Sequence, residues 1–220
     1  GLVVFTYYAS LADTTAGAKF FGQSPLITAK RWFYICGMWD GTNRIVYING
    51  VRQTSPTLGN MGGGWAVGNY LGRISGSSAT YHFNGLIDDV RIYNRALSAT
   101  EIRQLYDMGA ATKQAVSPKV GPTACTKGLS CGLVGYWTFD GKDTANGVAL
   151  DKSGNGRNGN LISIATSTFY AKGVIGQGFN FDGTNDRVTT ASDSVGTGVV
   201  TVSAWVKARS LGGAVSGRII

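Results

Sequence analysis

Acid–base and nucleophilic chemistry need particular side chains, and this chain is short of most of them. It contains one glutamate, Glu101, and one histidine, His82. Glycoside hydrolysis by the usual route takes two carboxyl groups, one as acid and one as base or nucleophile. Glu101 has another use. Ser98-Ala99-Thr100-Glu101 has the spacing of a capping box, in which the serine hydroxyl and the glutamate carboxylate satisfy the first amides of a helix. A Ser-His-Asp triad would have to use His82, and no nucleophile elbow is present. The sequence therefore points away from an enzyme and nominates no catalytic residue. Cys36 sits in the apolar run Trp32-Phe33-Tyr34-Ile35-Cys36 and is expected to be a buried free thiol. Cys125 and Cys131 flank a short loop and are candidates for a small disulfide in an exported protein. With a single histidine and that spacing, zinc is not expected.

Binding chemistry has better candidates. Trp65, preceded by Met61-Gly62-Gly63-Gly64, is an aromatic platform on which a pyranose face could stack, and Tyr70, Tyr81 and Trp39 are further candidates. Trp32, Trp137 and Trp205 sit inside strand-like runs and are expected in the core. The net charge is +8, but lysine and arginine are scattered and no nucleic-acid motif is visible. A soluble basic surface is the expectation, with attraction to an acidic glycan as the alternative. No stretch has the uninterrupted apolar length of a membrane span, so membrane insertion is not expected. Gly1-Leu2-Val3-Val4-Phe5 reads like the middle of a domain.

The elements that must position these residues are mostly strands. Thirty-three glycines against 4 prolines, with 11% aromatics, suit short strands joined by tight turns. Arg44-Ile45-Val46-Tyr47-Ile48 runs into Asn49-Gly50, a pair favoured in two-residue hairpin turns because both residues need positive φ. With the turn at Asp40-Gly41-Thr42-Asn43, residues 31–55 read as a three-stranded meander. Trp65–Gly72 and His82–Tyr93 read as further strands, the latter with one wet face. A helix is predicted over 98–108, with Ile102, Leu105 and Tyr106 on one face and Gly109 as its terminating glycine. Residues 110–131 read as a linker. Strand signals resume at Leu133–Asp140, Val188-Thr189 and Val199–Lys207, and in the last of these Val202, Ala204 and Val206 share a face.

Several of these motifs occur together in one known superfamily. Gly135-Tyr136-Trp137-Thr138-Phe139-Asp140, Asp151-Lys152-Ser153-Gly154-Asn155-Gly156, Gly178-Phe179-Asn180-Phe181-Asp182-Gly183 and Ser203-Ala204-Trp205-Val206-Lys207 resemble the start of a laminin-G-like domain. Trp39-Asp40-Gly41, Tyr47-Ile48-Asn49-Gly50 and Asn84–Ser98 with its helix resemble the end of one. The chain thus resembles the laminin-G-like, concanavalin A-like lectin/glucanase superfamily of bacterial surface proteins, over most of its length outside 110–131. The resemblance implies an all-β antiparallel sandwich of jelly-roll type with one short helix. It also implies an extracellular or cell-surface location, and adhesion or carbohydrate binding as function, free-standing or as an appendage of a secreted glycan enzyme. The Glu-x-Asp-x-Glu strand motif of related glucanases is absent.

The motif order is inverted. Residues 1–109 resemble the back part of a domain, and 132–220 the front part. An arbitrary window of a tandem array, a circular permutant closing on itself, and a subunit completed head to tail by its neighbour all account for this. The last would make the chain an assembly module or filament subunit, self-associating or pairing with a neighbouring repeat. In the resembled fold the opening and closing strands are neighbours. A structural Ca²⁺ held by Asp140, Asp151, Asn155, Asp88 and Asp89 is therefore an expectation, because hard cations take carboxylate and amide oxygens. The alternatives are Asx-turns at Asp151 and Asn155, and a salt bridge from Asp89 to an arginine.

Overall fold

Alternation along the strands builds two cores. The computed structural model describes residues 2–7, 18–23, 28–53, 69–73, 82–111, 128–164, 169–190 and 199–209. In β3 (Phe33–Trp39), Phe33 and Ile35 enter one hydrophobic cluster while Tyr34, Cys36 and Met38 enter another. In β4 (Arg44–Ile48), Val46 and Ile48 join the first, and Ile45 and Tyr47 the second. Two-residue periodicity on a pleated strand requires this split when both faces are covered. The first cluster lies between the two sheets of a sandwich, and the second lies under a helix.

β1 (Leu2–Tyr7) and β2 (Ala18–Gln23) form a hairpin of their own. β3, β4 and β5 (Val51–Arg52) make the expected meander, turning at Asn49 and Gly50 with φ of 51° and 75°. β6 (Asn69–Leu71) precedes the long β7 (Asn84–Tyr93) and the helix α1 (Ala99–Ala110). The chain continues with β8 (Leu133–Trp137), the short β9 (Thr144–Ala145) and β10 (Val148–Ala149), then β11 (Gly159–Ile162) and β12 (Tyr170–Lys172). It ends in β13 (Gln177–Asp182), β14 (Arg187–Thr190) and β15 (Val200–Ala208). The smaller sheet has the order β6-β14-β11-β10-β9. The larger has the order β12-β13-β7-β15-β3-β4-β5, with β8 also paired to β7.

The inter-sheet core is aromatic. Phe139 stacks on Phe179 at 4.0 Å between ring centroids, and Trp137, Phe181 and Val188 are fully buried around them. Trp205 is buried in the second core against Tyr34, with ring centroids 5.4 Å apart. Val202, Ala204 and Val206 face the first core as the alternation predicts.

Two expectations need correction. Gly109 does not end the helix: α1 runs through it to Ala110, and Ala111 is the C-cap. Gly109 is small because the Trp205 indole occupies the space a Cβ would take. The supposedly wet face of β7 is dry. Asp88, Asp89 and Arg91 are all buried: the stretch at Val174 and Ile175 closes over Asp88, and Tyr136 of β8 lies against the Arg91 guanidinium.

Candidate functional site

The acidic residues of β7 lie where that strand changes neighbour. Residues Asn84–Ile87 pair with β13, and Val90–Tyr93 pair with β8. Asp88 and Asp89 fall in the gap, and the β15 register shifts opposite them, between Ser203 and Trp205. Asp89 has a φ of +53°, which re-aims the strand there. A tight turn at residues 173–176 fills the gap, closed by a bond from the Gly173 amide to the Gly176 carbonyl at 3.1 Å.

Two carboxylates hold that turn. Asp88 Oδ2 accepts from the amides of Val174 at 2.7 Å and Ile175 at 2.9 Å. Asp140 Oδ1 accepts from the Gln177 amide at 2.6 Å, and the Gln177 side chain takes the Gly141 amide in return at 3.0 Å. Gly176 has φ +72°, and a Cβ there would strike Asp140, so the turn needs glycine on both counts. Asp88 Oδ1 has no partner among the described residues. Burial, with Asp89 and Asp140 adding like charge, pushes the Asp88 carboxyl up to about 8 against the pull of its two amide bonds.

Asp89 is paired with Arg91 at 3.2 Å, the alternative raised from the sequence, and the guanidinium lies 4.3 Å over the Tyr136 ring. Asp151 and Asn155 belong to a separate loop bound to β8. Asp151 accepts four hydrogen bonds: Tyr136 N at 2.9 Å, Ser153 N at 2.8 Å, Ser153 Oγ at 2.8 Å and Arg157 N at 2.9 Å. Asn155 donates its side-chain amide to the Leu133 carbonyl at 2.9 Å. The structure thus brings Asp88 and Asp140 to one turn, and places Asp151 and Asn155 on another.

Calcium takes six to eight oxygens. Of the five candidates, Asp151 is fully occupied by N–H and O–H donors, Asp89 by an arginine, and Asn155 turns its donor end inward. Among the described residues no three His, Cys, Asp or Glu side chains are grouped as a metal site. The oxygens present do not form a calcium shell.

Glu101 is equally committed. It closes the capping box through Ser98 and receives two bonds from Arg95 at 3.0 and 2.6 Å. The Arg95 bonds, with those from Ser98, hold its carboxyl down at about 2. Cys36 is a buried free thiol whose ionisation burial opposes. Cys131 is disulfide-bonded, and Cys125 lies outside the described residues. Tyr70 is half-buried on β6 with the Arg73 guanidinium 4.9 Å from its ring centre, while Trp65 and Tyr81 lie outside the described residues.

One polar group escaped the sequence reading. At the end of the sandwich where β7 and β13 begin and finish, Arg209 bonds Asn84 Oδ1 at 2.9 Å and also reaches Asn180 Oδ1 and, at 3.3 Å, the Phe181 carbonyl. Beside it, Asp182 Oδ1 caps Thr184 N at 2.7 Å, and Asp186 accepts the Asp182 amide at 2.9 Å. Asn84, Asp182, Asn185 and Arg209 are exposed. The Asp182-Gly183-Thr184-Asn185 turn was the available signal. Its neighbours come from the far end of the chain, so spacing could not reveal them.

The strands form antiparallel sheets beside one helix, and comparison with known families finds a partial match. Residues 5–103 match the sequence profile of the Concanavalin A-like lectin/glucanases superfamily. These residues carry a laminin-G-type, concanavalin A-like sequence, and the β-sandwich is the fold that goes with it. The match covers less than half of the chain, and residues of the front part lie beyond it. No curated protein and no solved structure matches the chain. Laminin-G-like domains are typically extracellular and generally non-catalytic, and some are the glycan-binding domains of enzymes. No helix among the described residues is long and apolar enough to cross a membrane. For residues 5–103 the match supports a carbohydrate-binding or adhesion-type module at most, and no more specific function.

Proposed function

We propose that this chain is a non-catalytic, extracellular adhesion-type module that binds glycan. The observation that carries the reading is the use of its acids. Glu101 is locked to Arg95 and a helix cap, Asp151 to a loop, and Asp88 and Asp140 to a turn. General acid–base work needs carboxyl groups free to meet a substrate, and none of these is.

The exposed rim of Asn84, Asp182, Asn185 and Arg209 offers what a glycan uses. It presents amide, carboxylate and guanidinium groups that donate to and accept from sugar hydroxyls. Arg209, with the basic balance of the chain, adds preference for acidic sugars. Tyr81 stands three residues before Asn84 in sequence, and an aromatic ring is the kind of group on which a pyranose face stacks. The test is an array of neutral, uronic-acid and sulfated oligosaccharides, with wild type beside Arg209→Ala. Signal on wild type that drops in the variant supports the reading. An array blank for both, or sugar cleavage by wild type, overturns it.

A further inference from the structure

The large sheet is interleaved. Its central order, β13-β7-β15-β3, alternates strand by strand between the front and back parts of the chain. β7 takes β13, β8 and β15 as neighbours, all from the front part. β15 lies between β7 and β3, both from the back part. In the smaller sheet β6 pairs with β14 across the same divide. Side chains continue the seam. The Thr201 hydroxyl accepts from the Leu97 amide and donates to the Arg95 carbonyl. Asp88 holds the amides of Val174 and Ile175. The Trp205 ring stacks on Tyr106 at 5.6 Å.

Interleaving has two consequences. Neither part can present finished edges alone, because β7 and β15 would each be a row of unpaired amides and carbonyls. Nor does any of these contacts use the covalent path through residues 112–127. A chain carrying the complementary strands could make the same bonds from outside. We infer that the seam is an exchangeable interface whose partner is a second copy of this chain, the back part of one copy being completed by the front part of another. Exchange of identical elements creates no new contacts and so costs little. The choice between self-completion and exchange is made during folding, when a short linker holds its own partner at an effective concentration on the order of millimolar. Once formed, an interleaved sheet cannot release its partner without unfolding. The exchange needs no ligand.

Register supplies the probe. Free, buried Cys36 lies directly opposite buried Ser203 in the β3–β15 pair. Ser203→Cys sets two thiols across adjacent antiparallel strands, at a spacing that disulfides share. The variant is unfolded, refolded at concentrations from micromolar to millimolar, oxidised and separated without reductant. An intrachain link is expected at low concentration. The ratio of interchain to intrachain product should grow about tenfold for each tenfold rise in concentration while the interchain product is the minor species. Intrachain product alone at every concentration overturns the inference. So does an interchain link that survives adding Cys36→Ser, since that marks disulfide shuffling. If Ser203→Cys does not fold or cross-link, two differently tagged wild-type chains are refolded together at millimolar concentration and then diluted. Co-purification that persists supports exchange, and its absence overturns it.

Discussion

Asp151 and Asp88 are the same residue, and both bind backbone amides, yet their environments are opposite. Asp151 belongs to a loop made by its own sequence neighbours: three of its four bonds come from Ser153 and Arg157, and only Tyr136 is more distant. All its acceptor capacity facing protein is used, and it stays half-exposed. Asp88 is fully buried, takes its amides from residues 174 and 175 of the other part, and leaves Oδ1 without a partner among the described residues. A local carboxylate is satisfied by whatever its turn provides. A carboxylate in the seam depends on how well two distant stretches meet. The difference teaches that Asp151 is a loop device, and Asp88 a junction whose charge has to be managed.

The largest way to break this comparison is to disturb that charge. Arg91 is the buried cation beside Asp89 at the junction. Arg91→Met should cost about 3–5 kcal/mol in urea unfolding, because removing one member of a buried pair leaves the other uncompensated. A loss below 1 kcal/mol (about what a surface pair is worth) would show that the junction is wetter than its burial implies. Asp151→Ala comes next, at about 2–3 kcal/mol, since it strands several donors that were bonded to a charged acceptor. Asp151→Asn should recover part of that loss, because one amide oxygen can still serve the Tyr136 and Ser153 amides.

Asp88→Asn should act in the opposite sense and raise stability near neutral pH, because holding the buried acid protonated there costs the wild type what an amide does not pay. Its effect is on the pH profile. The folded carboxyl sits at about 8 against an ordinary 3.8. Its contribution is therefore complete below the unfolded value and is lost as pH rises from about 4 towards 8, at up to about 1.4 kcal/mol per unit. Glu101 works in the other direction. Held at about 2, it contributes above 4.5, and that contribution is lost as pH falls below it. Melting curves across this range should flatten above pH 4 in Asp88→Asn and keep their acid limb. An unchanged alkaline decline in the variant would assign the loss to another group.

Much of this was legible in the sequence, wherever cause and effect are close along the chain. The Asn49-Gly50 turn, the Ser98–Glu101 cap and the alternation in β15 are local, and each formed as its residues require. The motifs of the laminin-G-like pattern supplied the sandwich. What could not be read depends on distant partners. Gly109 looks like a helix stop until Trp205 is placed against it. Asp89 and Arg91 look like one wet face until β8 pairs alongside and Tyr136 covers them. Asp88, Asp140 and Asp151 look like one cation set because carboxylates advertise oxygen. Only the structure shows which amides had already claimed it.

Calcium tests that last point, with the smallest effect expected. An ion stabilises a protein only through affinity for the folded state, as RT ln(1 + [L]/Kd). Asp151 has no oxygen to give without releasing the Tyr136, Ser153 or Arg157 donors. At the junction, Asp88 Oδ1 is the buried carboxylate oxygen left without a partner among the described residues, and one such oxygen is far short of what a calcium ion takes. Millimolar calcium should therefore leave the melting temperature of wild type where chelator leaves it, and Asp88→Asn should behave the same. A rise confined to wild type and lost in Asp88→Asn would make the junction a cation site after all, with Asp88 exchanging its proton for metal. A rise lost only in Asp151→Ala would invert the comparison, because the carboxylate with every bond made would then be the one that gives them up.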